Sequence, residues 1–229
     1  MHAGVLFDLD ETLVDRRGSL TRYASKLWQR ERRAIALSES EFIARFHAID
    51  DRARTPRKAF FERVTASVLP TFSAAAFEED FYSRTWESPV LFDDVVRVLG
   101  TLRQRGYRLG IVTNGGERAQ SAKIRNSPLG ELIDTWIISA TFGVAKPDAA
   151  IYAEAIARLD LDVARSWFIG DSPVPDVVGP TRAGFKAIWI ERPGELHMPW
   201  PDDEVPCYVA RIGTIAAVLD LIPEQARDG

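Results

Sequence analysis

The sequence predicts an α/β fold, a parallel sheet flanked by helices and interrupted after its first strand by an all-helical insertion. Three observations predict it. Gly4 to Phe7 is a short apolar run ending in acids, as a buried strand would. From about Val14 to Phe92 the apolar residues keep helical spacing and no strand pattern occurs. Beyond that, helices and short apolar strands alternate, the pattern of a parallel sheet covered on both faces.

The insertion reads as a series of helices. Leu20, Tyr23, Ala24, Leu27 and Trp28 share one helical face, with Ser19 as the expected cap. Ser38 and Glu41 have capping-box spacing ahead of Phe42, Ile43, Phe46 and Ile49. Pro56 suits the first position of a third helix holding Phe60, Phe61, Val64 and Val68. Ser73 opens a fourth, with Phe77 and Phe81 inside. The core then resumes with a helix over Val95 to Gln104, stopped by Gly106, and a strand over Arg108 to Val112. A helix over Gly116 to Asn126 precedes a strand over Trp136 to Ser139, and a helix over Pro147 to Leu159 precedes a strand over Trp167 to Ile169. Val177 to Ala183 reads as a short helix, Lys186 to Ile190 as a strand, Tyr208-Val209 as an edge strand and Thr214 to Leu221 as a last helix. The expected organisation is a core of residues 1–13 and 93–229 around a helical domain of residues 14–92.

Composition narrows the function. The chain has 229 residues, 46% of them apolar and 27% charged, a balance that supports a full core without staples. A net charge of -4 argues against a basic face for a nucleic-acid polymer or an anionic membrane, while leaving room for one small anion. Cys207 is the single cysteine, so no internal disulfide forms. Acids interrupt the apolar start, and no run is long and apolar enough for a membrane span, so a cytoplasmic protein is expected.

Ligands of open parallel sheets bind beyond the carboxyl ends of the strands. After the first strand come Asp8 and Asp10, which alternation can place on one side while Leu9 enters the core. Two carboxylates this close need a cation or a shared proton. With a divalent ion bound, one can act as nucleophile and the other as proton shuttle, whereas without one they would merely cap a loop. After the second strand, Thr113, Asn114, Gly115 and Gly116 lead into a helix, a turn whose hydroxyl and amides suit a phosphate, though an ordinary strand-to-helix turn looks the same. After the third, Pro147 at a helix start would hold Lys146 extended and aimed at a phosphate or at Asp8, where a solvated lysine is the plain alternative. After the fourth, Asp171 and Asp176 add oxygen ligands for a hard ion such as Mg²⁺, and Asp176 also fits a helix cap.

Taken in order, these segments resemble the haloacid dehalogenase-like superfamily: DLDETLV its first motif, IVTN its second, GVAKPD with the following IY its third, and GDSPVPD its fourth. The resemblance implies a Rossmann-like core with an α-helical cap inserted after the first motif. It implies Asp8 as nucleophile, Asp10 as general acid and base and as a Mg²⁺ ligand through its carbonyl, and Thr113 and Asn114 as phosphate binders. It further implies Lys146 as the charge that steadies a phosphoaspartate, and Asp171 with Asp176 at the metal. The activity implied is Mg²⁺-dependent hydrolysis of a small phosphorylated metabolite. Asp10 favours phosphoryl transfer, since the dehalogenases of this family lack that second acid. A phosphomutase keeps every motif and stays open as the alternative, ahead of a 2-haloacid dehalogenase and of an inactivated binding protein. Pro175 departs from the family, many members of which carry Asn there.

Arg52, Arg54, Arg57 and Lys58 cluster where helices of the insertion meet. A solvated basic face is the simplest account, and Arg54 and Arg57 are the candidates for gripping a second anionic group on the substrate. The insertion's Trp28, Phe42, Phe46, Phe60 and Phe61 read as packing, as do Trp136, Trp167 and Trp189 in or beside core strands. His2, His47 and His197 lack metal-ligand spacing, and the Pro-rich run over residues 192–206 reads as a long loop.

Overall fold

The computed structural model describes residues 1–192, 199–202 and 204–225, so His197 and part of the Pro-rich run lie outside the described residues. The chain forms two compact units, one of Met1–Asp15 with Leu91–Gly229 and one of Arg16–Val90.

Along the chain the elements are β1 (Gly4–Phe7), α1 (Arg16–Glu31), α2 (Glu39–Asp50), α3 (Arg57–Ser67), α4 (Ala74–Arg84), α5 (Val95–Gln104) and β2 (Arg108–Thr113). There follow α6 (Glu117–Arg125), α7 (Leu129–Leu132), β3 (Thr135–Ile138), α8 (Ser139–Phe142), α9 (Ala149–Leu159) and β4 (Trp167–Gly170). A π-helical turn (Pro173–Val178), α10 (Gly179–Arg182), β5 (Lys186–Ile190), β6 (Ala210–Ile212) and α11 (Val218–Leu221) complete them.

Among the described residues six strands form one sheet in the order β3-β2-β1-β4-β5-β6, with every neighbouring pair parallel. β1 lies in the middle because it is apolar on both faces. Val5 and Phe7 join one core cluster with Leu99, Leu109 and Ile111, and Leu6 joins the other with Tyr152 and Phe168. Each Leu or Phe so buried contributes about 2 kcal/mol. Strand order reverses between β1 and β4, so the acids that end these two strands share the crevice where such sheets bind ligands.

The unit of Arg16–Val90 has an aromatic interior. Phe42, Phe46, Phe60, Phe77 and Phe81 are buried, with Phe46 and Phe60 edge to face at 5.4 Å. Ser38 and Glu41 complete a capping box at α2, and Ser73 caps α4. Inside it Asp50 accepts both arms of Arg16 at 2.9 and 2.8 Å and Arg57 at 3.1 Å.

Several local expectations fail for identifiable reasons. Ser19 is no cap, because α1 already begins at Arg16, and its hydroxyl instead accepts the Val90 N–H at 2.9 Å. Pro147 does not open α9: Asp148 caps it, accepting the Ala150 N–H at 2.9 Å, and the Lys146-Pro147 peptide is cis. The helix expected over Val177 to Ala183 is a π turn followed by α10, and the last one is a 3₁₀ turn (Ile215–Ala217) followed by α11. The edge strand falls at Ala210–Ile212, while Tyr208 packs against Trp189 and Trp200.

Candidate active site

The carboxyl ends of β1 and β4 bring acids together. Asp8 follows Phe7, held by its N–H to the Ile169 carbonyl at 2.9 Å, and its side chain is buried. Asp171 follows β4, its carbonyl fixed by the Trp189 indole at 2.9 Å. Asp176 reaches back from the π turn and accepts the Ser172 N–H at 3.0 Å. Gly170 makes that approach possible: a Cβ there would lie 2.4 Å from the Asp176 Cβ. Asp8, Asp171 and Asp176 each offer a carboxylate oxygen, all within 4.8 Å of one another.

Lys146 enters from the segment after α8. Its buried Nζ donates to Asp8 Oδ1 and Asp176 Oδ1, both at 2.7 Å. Its backbone is clamped by Asn114, whose Nδ2 donates to the Lys146 carbonyl at 3.0 Å and whose Oδ1 accepts the Lys146 N–H at 2.9 Å. Both ends of the Asn114 amide therefore serve to place the lysine. Thr113 ends β2, buried, and its hydroxyl accepts Gln120 Nε2 at 2.7 Å. The Gly115 N–H donates to Ser139 Oγ at 3.0 Å, which anchors the glycine turn to α8.

Asp10 is set apart from the trio. Lys123 Nζ on α6 donates to both its oxygens at 2.8 and 2.7 Å, and Gln120 Nε2 donates to Oδ2 at 3.1 Å. The sequence reading passed over Gln120 and Lys123 because they lie one and two turns into a helix rather than at a strand end. Their i, i+3 spacing just beyond the Thr113 turn is the signal that finds them. Also passed over is Arg192, whose guanidinium lies 3.5 Å from the Phe92 ring centroid and donates to the Glu11 and Thr12 carbonyls at 3.3 and 2.8 Å. It fastens the turn after β1.

Pro175 has an evident part. Its carbonyl accepts the Tyr152 hydroxyl at 2.6 Å, so α9 holds the π turn in place. Gly179 leaves room for that hydroxyl, which a Cβ would meet at 2.3 Å. π-helical turns recur at functional sites.

The electrostatics follow from crowding. Burial pushes the Asp8 carboxyl up to about 7; Lys146 opposes this, while Asp176 and Asp10 add to it. Burial, then Asp176 and Asp8, push Asp171 well above the usual carboxylate range. Burial alone would lower Lys146, but Asp176 and Asp8 outweigh it and hold the ammonium above its usual range. The set of acids therefore favours a further cation. The donors are hard oxygens, which suit Mg²⁺: Asp8, Asp171 and Asp176 would hold it.

Arg57 and Arg54 belong to the helical unit and have partners there. Arg57 serves the buried Asp50, and Arg54 pairs with Asp51 at 3.2 Å in an exposed bridge. A cavity of about 500 Å³ lined by Met1, His2, Arg105, Arg165 and Gln225 lies at the amino ends of the strands, away from these acids. No helix among the described residues is long and apolar enough to cross a membrane.

Acids thus gather at the reversal point of a parallel sheet and face a buried lysine. The model of the haloacid dehalogenase-like hydrolases matches residues 2–184, and the chain belongs to that family. Among curated relatives, it is 29% identical to the glyceraldehyde 3-phosphate phosphatase of Methanopyrus kandleri over the full length of both. It is 26% identical to the N-acylneuraminate-9-phosphatase of Mus musculus, covering 95% of this chain and 91% of that one. Among solved structures, the magnesium-bound HAD-hydrolase YfnB of Bacillus subtilis superposes with a TM-score of 0.75 at 21% identity, over 96% of this chain and 98% of that one, and so shares the fold.

Proposed function

We propose that this hydrolase is a Mg²⁺-dependent phosphatase that cleaves a small phosphomonoester through a phosphoaspartate on Asp8. The observation that carries the reading is the buried contact of Lys146 with Asp8 and Asp176 beside Asp171, at the ends of β1 and β4. An oxygen of Asp8 attacks phosphorus in line while the bond from phosphorus to the ester oxygen breaks. The Asp10 carboxyl gives its proton to that departing oxygen. Asp10, now a carboxylate, takes a proton from the water that attacks the phosphoaspartate. The bond to Asp8 breaks, and inorganic phosphate and the free Asp8 carboxylate result. Lys146 neutralises charge on the phosphoryl oxygens throughout. Bound Mg²⁺ supplies further neutralisation and relieves the repulsion among the acids.

The relatives' substrates, glyceraldehyde 3-phosphate and an N-acylneuraminate 9-phosphate, support a small, polar, anionic phosphomonoester. The helical unit serves in this reading as the cap that selects it, and Arg54 and Arg57 are the basic side chains that would exchange Asp51 and Asp50 for a second anionic group. Asp10 supports phosphatase over dehalogenase chemistry, since only the former must protonate an alkoxide.

The test is Asp8→Asn, assayed for phosphate release from a panel of sugar phosphates, nucleoside monophosphates and phosphoglycolate with Mg²⁺. Turnover should fall by at least about a thousandfold while the circular dichroism spectrum is unchanged. Activity above a trace in that variant would refute the covalent route.

A further inference from the structure

We infer that Lys123 and Gln120 are positioning residues that dedicate the Asp10 carboxylate to proton transfer by holding it out of the metal-binding trio. The inference rests on the phosphatase reading and extends it to two α6 residues outside the superfamily's motifs.

Lys123 is 2% exposed, an unusual burial for a lysine. A buried ammonium persists only when carboxylates and hydrogen bonds replace its water. Here Asp10 supplies both oxygens, and Gln120 Oε1 accepts a third bond at 2.5 Å. The other end of the same amide donates to Asp10 Oδ2 and to Thr113 Oγ1. One glutamine thus ties lysine, acid and the β2 end into a closed network. α6 begins just after the glycine turn, and successive turns of its inner face carry Gln120 and Lys123.

Three of the four acids therefore divide between two lysines. Lys146 faces Asp8 and Asp176, and Lys123 faces Asp10. The carboxylate oxygens of Asp8, Asp171 and Asp176 converge within 4.8 Å, and Asp10 contributes none to that group. A carboxylate two residues from the nucleophile would otherwise be an attractive further ligand for a hard dication. Lys123 competes for it, and the bidentate grip fixes its orientation. A group so held can meet the ester oxygen as phosphorus leaves it.

General harm to the fold slows all substrates alike. Losing a positioned acid slows esters with poor leaving groups most, because a good leaving group departs without a proton. The experiment compares kcat/KM for an alkyl phosphate and for p-nitrophenyl phosphate in Lys123→Met, Lys123→Arg, Gln120→Leu and Asp10→Asn, all with Mg²⁺. In Lys123→Met the alkyl ester should lose about a hundredfold and the aryl ester no more than about fivefold. Lys123→Arg should recover part of the alkyl activity, and Gln120→Leu should show the same bias in weaker form. Equal losses on both esters in Lys123→Met and Gln120→Leu, with the bias kept in Asp10→Asn, would overturn the assignment of the two α6 residues alone. Absence of the bias in Asp10→Asn would overturn the role of Asp10 and this inference with it.

Discussion

The two units bury acids in opposite ways. In the helical unit Asp50 is enclosed by two guanidiniums and the Ala53 N–H, and each oxygen has partners within 3.1 Å. Burial alone would raise its carboxyl, but the hydrogen bonds and charges of Arg16 and Arg57 outweigh it and leave it below the usual range. In the α/β unit Asp8 is buried and Asp171 half-buried, and burial and neighbouring acids push both up. The direction of the shift separates the two purposes. A compensated acid cross-links its unit, while crowded acids are the pattern expected under the proposed function of a site that a cation completes.

Substitutions can break this contrast. Asp50→Ala leaves the buried Arg16 and the half-buried Arg57 without their anion and should cost about 3 kcal/mol. Denaturant titration would measure it, and a cost below about 1 kcal/mol would mean that Asp50 contributes no cross-link. Asp171→Asn should act in the other direction. It replaces an acid whose ionised form burial and neighbouring acids disfavour, so the metal-free protein should gain about 1 kcal/mol while losing its thermal response to Mg²⁺. Destabilisation of the metal-free variant would show that the trio is compensated after all.

The same contrast explains what was legible in the sequence. Asp8, Asp10 and Asp171 stand at or just beyond strand ends, where alternation and the sheet's topology fix which way a residue faces, and Lys146 stands beyond α8 with Pro147 as its marker. The aromatic interior of the helical unit was equally plain, because Phe42, Phe46, Phe60 and Phe77 keep helical spacing. Side chains whose roles depend on tertiary partners were not legible. Ser19 looked like a cap until Val90 claimed its hydroxyl. Asn114 gave no sign in the sequence that its amide also grips the Lys146 backbone. Lys123 is one of three lysines in the described helices, with Lys26 and Lys58, and only the tertiary fold brings it to Asp10. Pro173 and Pro175 hid the π turn, since prolines so close together suggest a loop and give no hint that Tyr152 will hold the second one's carbonyl.

The finest probe of the contrast is the slope of stability with pH, at most about 1.4 kcal/mol per pH unit for one group. Without metal, Asp8 keeps its proton in the native state up to about pH 7, whereas the unfolded chain releases it near 3.8. Between those values the native state binds more protons, so stability should fall as pH rises, and Asp171 adds to the fall. Asp50 works in reverse. Its depressed value contributes stability above the unfolded carboxylate range, lost only as pH drops through the folded value. Thermal melts from pH 4 to 8 should therefore decline toward neutrality in the metal-free protein. Saturating Mg²⁺ should flatten the decline, because the bound cation favours the ionised acids that burial disfavours. A metal-free profile that rises toward neutrality would place the Asp8 and Asp50 environments in the same class, and the distinction between the two units would be lost.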